Sequence, residues 1–246
     1  MRRASSNTTL STARSDLLFH GGGRTRGLTL MRSPRARGMR LVVDPRDGGV
    51  RLTLPARTPV GTAIAWAESQ RVWVETALAK IAPPVPFAPG AAIPFEGAMV
   101  TIEAAGSSRI VRIDGERLLV GGPPELIPGR VLRWLRAQAR ERLEGETRLV
   151  ATRAGVSIGR VRIGDPRSRW GSCSAAGDIA YSWRLILAPP AVREATVTHE
   201  VAHRLHMHHG PAFHAAVADL LGRVPKAERA WLRQHGARLH GVGASW

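Results

Sequence analysis

The stretch from Pro189 to His209, PPAVREATVTHEVAHRLHMHH, has the fewest structural options in this chain of 246 residues. Its two leading prolines suit a helix start, and Gly210-Pro211 supplies a stop. On a helical wheel Val192, Ala195, Thr196, Ala202 and His203 gather around His199, while Val197 and Val201 lie almost opposite. A helix that is apolar on two sides has to be buried between layers. The rest of the chain must therefore supply packing partners on both sides. The segment Thr198–His214 also holds six of the nine histidines.

The remaining sequence divides by pattern. From about Leu28 to Val120 the signals are mostly β. Leu41–Val43 and Val50–Leu54 are short apolar runs separated by Asp, Pro and Gly, which predicts a hairpin. RIVRIDGERLLVGG predicts a second hairpin with Asp114-Gly115 as its tight turn. Between them a single helix is expected from Thr58 as N-cap and Pro59 at its first position, with Trp66 and Trp73 on one buried face. The Pro-rich stretch 82–94 reads as a connector. After the Gly-Pro clusters of 121–130 the chain turns helical, with Leu132, Leu135, Ala139 and Leu143 as an apolar stripe. VSIGRVRIG and IAYSWRLIL read as strands on either side of a polar turn. The expected fold class is α+β, with a β-rich N-terminal half followed by a mixed helical and β domain built around the buried helix. The expected divisions are a disordered basic leader over 1–27, a β-rich domain with one helix over 28–122, and the mixed domain around the buried helix over 123–246.

Within the buried helix, His199, Glu200 and His203 form His-Glu-x-x-His, the pattern of zinc-dependent peptidases. Residues four apart sit one turn apart and about 40° around the axis, so both imidazoles converge on one point. Glu200 lies beside them, placed to exchange a proton with a water at that point. A hydrolytic zinc site takes three protein ligands and keeps one position open. His206 lies about 10 Å further along the same helix and is out of reach. His209, Glu228 and His208, in that order, are the candidates for the third ligand. His209 follows His199 by ten residues, the outer spacing of the longer pattern with three histidines.

Other residues are weighed more lightly. Tyr181, the only tyrosine, and Trp170 are candidates for the wall of the site. Asp219 is a candidate for orienting a ligand histidine through its second nitrogen. Cys173 has no partner spacing and reads as a small residue in a turn, and Arg169 reads as surface. As the single cysteine it rules out an internal disulfide, which fits a reducing, cytoplasmic setting. No apolar run approaches the roughly 18 residues of a membrane span.

The formal net charge is +17, and all but two of the basic side chains are arginines. Nine of these arginines fall in residues 1–40, against a single acid, Asp16. Arg133, Arg136 and Arg140 line another side of the second-half helix. Such a charge attracts polyanions through counterion release. It opens an alternative reading, a nucleic-acid-binding protein with a structural zinc; that closed site would need a fourth ligand from His208 or Cys173.

The segment RSRWGSCSAAGDIAYSWRLILAPPAVREATVTHEVAHRLHMHHGPAF resembles the YgjP-like, SprT-related zinc metallopeptidases. The likeness lies in the turn Trp170–Ser174, the strand Ile179–Leu187, His199–His203 and His209–Phe213. It extends more weakly to the N-terminal half and to WLRQHGARLH. It implies a zincin-like catalytic domain acting on protein or peptide substrates. It also implies one Zn2+ per chain held by His199, His203 and His209, with Glu200 as catalytic acid/base. Related enzymes include proteases acting on proteins at DNA, which the charge would suit. The chain departs from the family where His214 stands in place of the usual Trp.

Overall fold

The structure is a computed structural model that describes residues 18–244 apart from 22–23, 45–47, 80, 82, 107–109 and 167. The fold is α+β, and the chain divides into two compact units, Met1–Pro84 and Val85–Ser245. The expected boundary at 122/123 thus lies inside the second unit, because the strands from 92 to 120 share a core with the helices that follow them.

In the first unit the strands are β1 (Leu18–Gly21), β2 (Arg24–Ser33), β3 (Arg40–Val43) and β4 (Val50–Pro55), paired in the order β1-β2-β4-β3. The hairpin of β3 and β4 is antiparallel as expected, and β2 runs parallel to β4. Alternate residues of β4 are buried, which puts Val50, Leu52 and Leu54 in the core. Part of the expected leader is ordered. Residues 18–21 pair with 24–27, and Phe19 is fully buried beneath them. The rest of the leader, 1–17, lies outside the described residues.

The helix expected from Thr58 is two helices, α1 (Val60–Ser69) and α2 (Arg71–Ala79), and the cap is Pro59, which offers no side-chain hydrogen bond. The break falls at Gln70, whose amide closes back on the Ala67 carbonyl at 3.1 Å. It separates the two tryptophans. Trp66 packs against the core with Ala63, Ala67 and Val74, whereas Trp73 is 49% exposed. The seven-residue spacing aligns them only on an unbroken helix.

The second unit opens with β5 (Ala92–Phe95), β6 (Ala98–Ala104), β7 (Val111–Asp114) and β8 (Arg117–Val120), in the order β5-β6-β8-β7. This repeats the wiring of the first sheet: two antiparallel hairpins joined through parallel inner strands. The tight turn of the second hairpin is Gly115-Glu116, one residue beyond its expected place, with Gly115 at φ 60°.

Helix α3 (Ile127–Arg153) follows, burying Ile127, Val131, Leu135, Ala139, Leu143 and Thr147 at four-residue steps. A three-stranded sheet, β10-β11-β9, is formed by β9 (Val161–Gly164), β10 (Gly171–Cys173) and β11 (Ile179–Ser182). The second of the two expected strands ends at Ser182. There Trp183–Leu187 coils into a buried 3-10 turn capped by Ser182 Oγ, which accepts from the Arg184 amide.

The helices α4 (Pro190–Ala202), α5 (Pro211–Leu221) and α6 (Lys226–His240) complete the unit. Helix α4 packs against α3, the 3-10 turn, β10, α5 and α6, which bury Val192, Ala195, Val197, Val201 and Ala202. Among the described residues, no helix is long and apolar enough to cross a membrane.

Arg184 ties the C-terminal end to this core. It is 8% exposed, and it donates to Asp165 Oδ1 at 2.9 Å and Oδ2 at 3.2 Å. Its remaining nitrogen donates to the carbonyls of Leu239 and Val242, each at 2.7 Å. Burial by itself raises the Asp165 carboxyl; the Arg184 guanidinium overrides it and holds the pKa below the usual carboxylate range. A carboxylate with a depressed folded pKa contributes stability above its unfolded value of about 3.9, and this is lost as pH falls through the folded value. Arg184→Met should therefore cost about 3 kcal/mol in urea unfolding at pH 7, since it strands two carbonyls and a carboxylate. It should also flatten the fall in stability below about pH 4. An unchanged acid limb would assign that fall to other carboxylates.

Candidate metal centre

His199 sits on the last turn of α4 and His203 is its C-cap. The helix ends well before Gly210-Pro211, so His206 is not on it. The amides of Arg204, Leu205 and His206 fold back onto Val201 and Ala202 carbonyls at 2.8, 3.0 and 3.0 Å. Arg204 pins this turn from outside, donating to the Ser157 carbonyl at 3.1 Å and to that of Ala175 at 2.8 Å. The chain then doubles back to Gly210, the N-cap of α5, with Pro211 at the first helical position. The reversal carries His209 to the two helix histidines.

The three imidazoles each offer a nitrogen within 4.8 Å of the others. His199 Nε2 and His209 Nε2 are 3.1 Å apart. Two nitrogens sharing a tetrahedral ion at roughly 2.0–2.1 Å each are separated by roughly 3.3 Å, so the pair has the spacing of a common ion. A neutral pair without one bridges the same distance by an N–H···N bond. His203 Nδ1 lies 3.3 Å from the His206 carbonyl, so the tautomer that donates there turns its Nε2 lone pair outward. Phe213, fully buried on α5, supports all three rings. Its centroid is 4.9, 4.7 and 4.8 Å from those of His199, His203 and His209. Burial, then the neighbouring imidazoles and Arg229, push the His199 pKa down to about 4. Burial lowers His203 as well. Both rings are thus held in the neutral form that coordinates metal.

Glu200 is 6% exposed, and burial raises its pKa to about 7 against the opposing charge of Arg169. Its carboxylate rests on the backbone of β10. A Cβ at Gly171 would stand 2.5 Å from Glu200 Oε1 and 2.6 Å from its Cγ, so only glycine leaves room. Trp170 beside it stacks on His240 of α6 at 5.1 Å and crosses α6 over Gly236, where a Cβ would come within 2.9 Å of the indole. Together these elements frame a cleft of about 240 Å³ that opens on His199 and Glu200.

The remaining candidates fall into two groups. Trp170 and Glu228 line the cleft. Glu228 accepts from Arg223 Nε at 2.9 Å and is not part of the histidine cluster. Tyr181 is fully buried with its hydroxyl 3.1 Å from Thr147 Oγ1, and burial drives its pKa up. It does not line the cleft. Asp219 is exposed on α5 and makes no hydrogen bond to a histidine ring among the described residues. His206, His208 and His214 are exposed; His206 contributes through its backbone carbonyl. Cys173 is half-buried on β10, outside the cluster, and Arg169 is exposed. The roles of Gly171 and Phe213 had no sequence signal beyond their places in the quoted segment.

A buried glutamate beside two helix histidines, with a third delivered by the following loop, is the arrangement of a metallopeptidase. The family model of the YgjP-like metallopeptidase domain matches residues 37–235, and the chain belongs to that family. No curated protein and no solved structure gives a significant match. Gly171→Ala should force the Glu200 side chain off its seat and cost about 1–3 kcal/mol of stability by overpacking. Thermal and denaturant unfolding measure the loss, and a variant as stable as the parent would mean that Glu200 has space to retreat.

Proposed function

We propose that the chain is a zinc-dependent peptidase in which His199, His203 and His209 hold one Zn2+ and Glu200 is the general acid/base. The observation that carries this reading is the convergence of three imidazoles beside a buried carboxylate that has no hydrogen-bond or ion-pair partner among the described residues. Three nitrogen donors suit zinc and leave a position for solvent or substrate. A bound Zn2+ supplies Lewis acidity that polarises a carbonyl and makes water nucleophilic near neutral pH.

The protein's own groups do the rest. A Glu200 carboxylate oxygen takes the proton of the attacking water and returns it to the nitrogen of the departing amine. Its raised pKa suits both halves of that transfer, since the ideal catalytic value lies near the working pH. The His206 carbonyl fixes the tautomer of His203, and Phe213 keeps the three rings from rotating apart. The substrates are proteins or peptides.

A nucleic-acid-binding protein with a closed, structural zinc is less well supported. Neither Cys173 nor His208 belongs to the histidine cluster, and a closed site gives the buried Glu200 no task. Glu200→Gln should retain one zinc per chain by elemental analysis while kcat on a peptide substrate falls about 10²–10⁴-fold. His209→Ala should lose stoichiometric zinc. Full activity in the first variant, or full metal content in the second, would overturn these roles.

A further inference from the structure

We infer that the cleft between Trp170 and α6 receives the substrate residue flanking the scissile bond, and that Arg229 selects a carboxylate there. This rests on the peptidase reading of the same site. The cleft is lined by His199 and Glu200 together with Trp170, Val192, Leu232 and Arg229. Its volume of about 240 Å³ is below the roughly 300–1,000 Å³ of sites that enclose drug-sized ligands. It is matched to an amino-acid side chain rather than to a larger group.

Three charged side chains line this cleft, Glu200, Glu228 and Arg229. Glu228 already accepts from Arg223, which also reaches Glu194 at 3.3 Å. Arg229, the next residue, has no ion-pair partner among the described residues, yet it lines the same cleft as His199 and Glu200. Trp170, Val192 and Leu232 provide apolar contact for the methylenes of a side chain, and the guanidinium offers paired N–H donors in carboxylate geometry. A lysine or arginine in the same place meets a like charge. The carboxylate comes either from an Asp or Glu side chain within a peptide or from a free C-terminus one residue beyond the cut.

The test uses the zinc-loaded full chain and peptides carrying Glu, Ala or Lys at each position on either side of the cleaved bond. At one of these positions the kcat/KM ratio of Glu over Lys should be about tenfold at low ionic strength and shrink with added salt, as expected for an exposed charge. Arg229→Ala should bring this ratio close to one and Arg229→Glu should invert it. Arg229→Lys should keep part of it. Comparing free-acid with amidated peptides separates the two sources of carboxylate.

In parallel, fluorescence anisotropy reads binding of the Glu and Lys peptides to Glu200→Gln, with and without Arg229→Glu. The Glu peptide should lose at least about fivefold in affinity in the double variant, and the Lys peptide should not. Cleavage or binding that ignores charge, or a Glu preference that survives Arg229→Glu, overturns the role of Arg229 and leaves the peptidase reading standing. Charge-dependent binding without any cleavage by the parent chain overturns the peptidase reading instead.

Discussion

The structure depends on the burial of most of α4, including Val192, Arg193, Val197, Thr198, Glu200 and Val201. The polar residues that α4 buries against α3, α5, α6 and β10, among them Arg193 and Glu200, are cut off from solvent, so each must find a partner or be neutral. Arg193, 3% exposed, has partners. It donates to Glu146 of α3 at 2.8 Å and pairs with Glu96 of the β5–β6 turn at 3.0 Å. Those ties set the rotation of α4 about its axis, and that rotation decides where the imidazoles of its last turn point.

Arg193 and Glu200 make an instructive pair, because seven residues bring them to within about 20° on one face of the helix. Both are buried and ionisable. One is held by two carboxylates, whereas the other rests on a glycine with no partner among the described residues. A buried carboxylate left unpartnered is costly, and such costs persist where function requires them. The same face of α4 thus carries a structural ion pair at one end and an unpartnered carboxylate at the other. Gly171 contributes by having no side chain: the missing Cβ is the space that Glu200 occupies.

Some levels of this structure are legible in the sequence and others are not, for identifiable physical reasons. Short hairpins were legible because alternation and turn residues act over a few positions, as in β3–β4 and β7–β8. The apolar stripe of α3 was legible for the same reason. Helix ends were less so. Nothing local in Glu68–Val72 announces the break at Gln70, and the stop of α4 at Ala202 depends on Arg204 reaching carbonyls of Ser157 and Ala175, far away in sequence. Ile179–Leu187 reads as one strand by composition, yet the bidentate pair of Arg184 with Asp165 and its two C-terminal carbonyls favour the 3-10 turn. The leader differs: Leu17, Leu18 and Phe19 form too short an apolar run to stand out among the surrounding Arg, Ser and Gly, and the burial of Phe19 appears only once β2 is in place. The convergence of His199 and His203 follows from helical spacing alone. That of His209 requires the turn after Ala202, which the helix-stop signal at Gly210-Pro211 misplaces.

Within the second unit the loop and the helices share the work of positioning. Helix α4 provides two rings at a fixed spacing, but a loop histidine has no such constraint and is held only by what packs on it. Phe213 meets that need because Pro211 starts α5 immediately after the loop, placing residue 213 in its first turn beneath the cluster. The phenyl ring stands nearly equidistant from all three imidazoles, so a shift of any one ring disturbs packing shared with the other two. Ala202 and Val217 bury the far side of that ring in a small cluster separate from the main core. The third histidine is thereby coupled to the helix pair through apolar packing that does not depend on a bound ion, as its proposed role as a ligand requires of a loop residue.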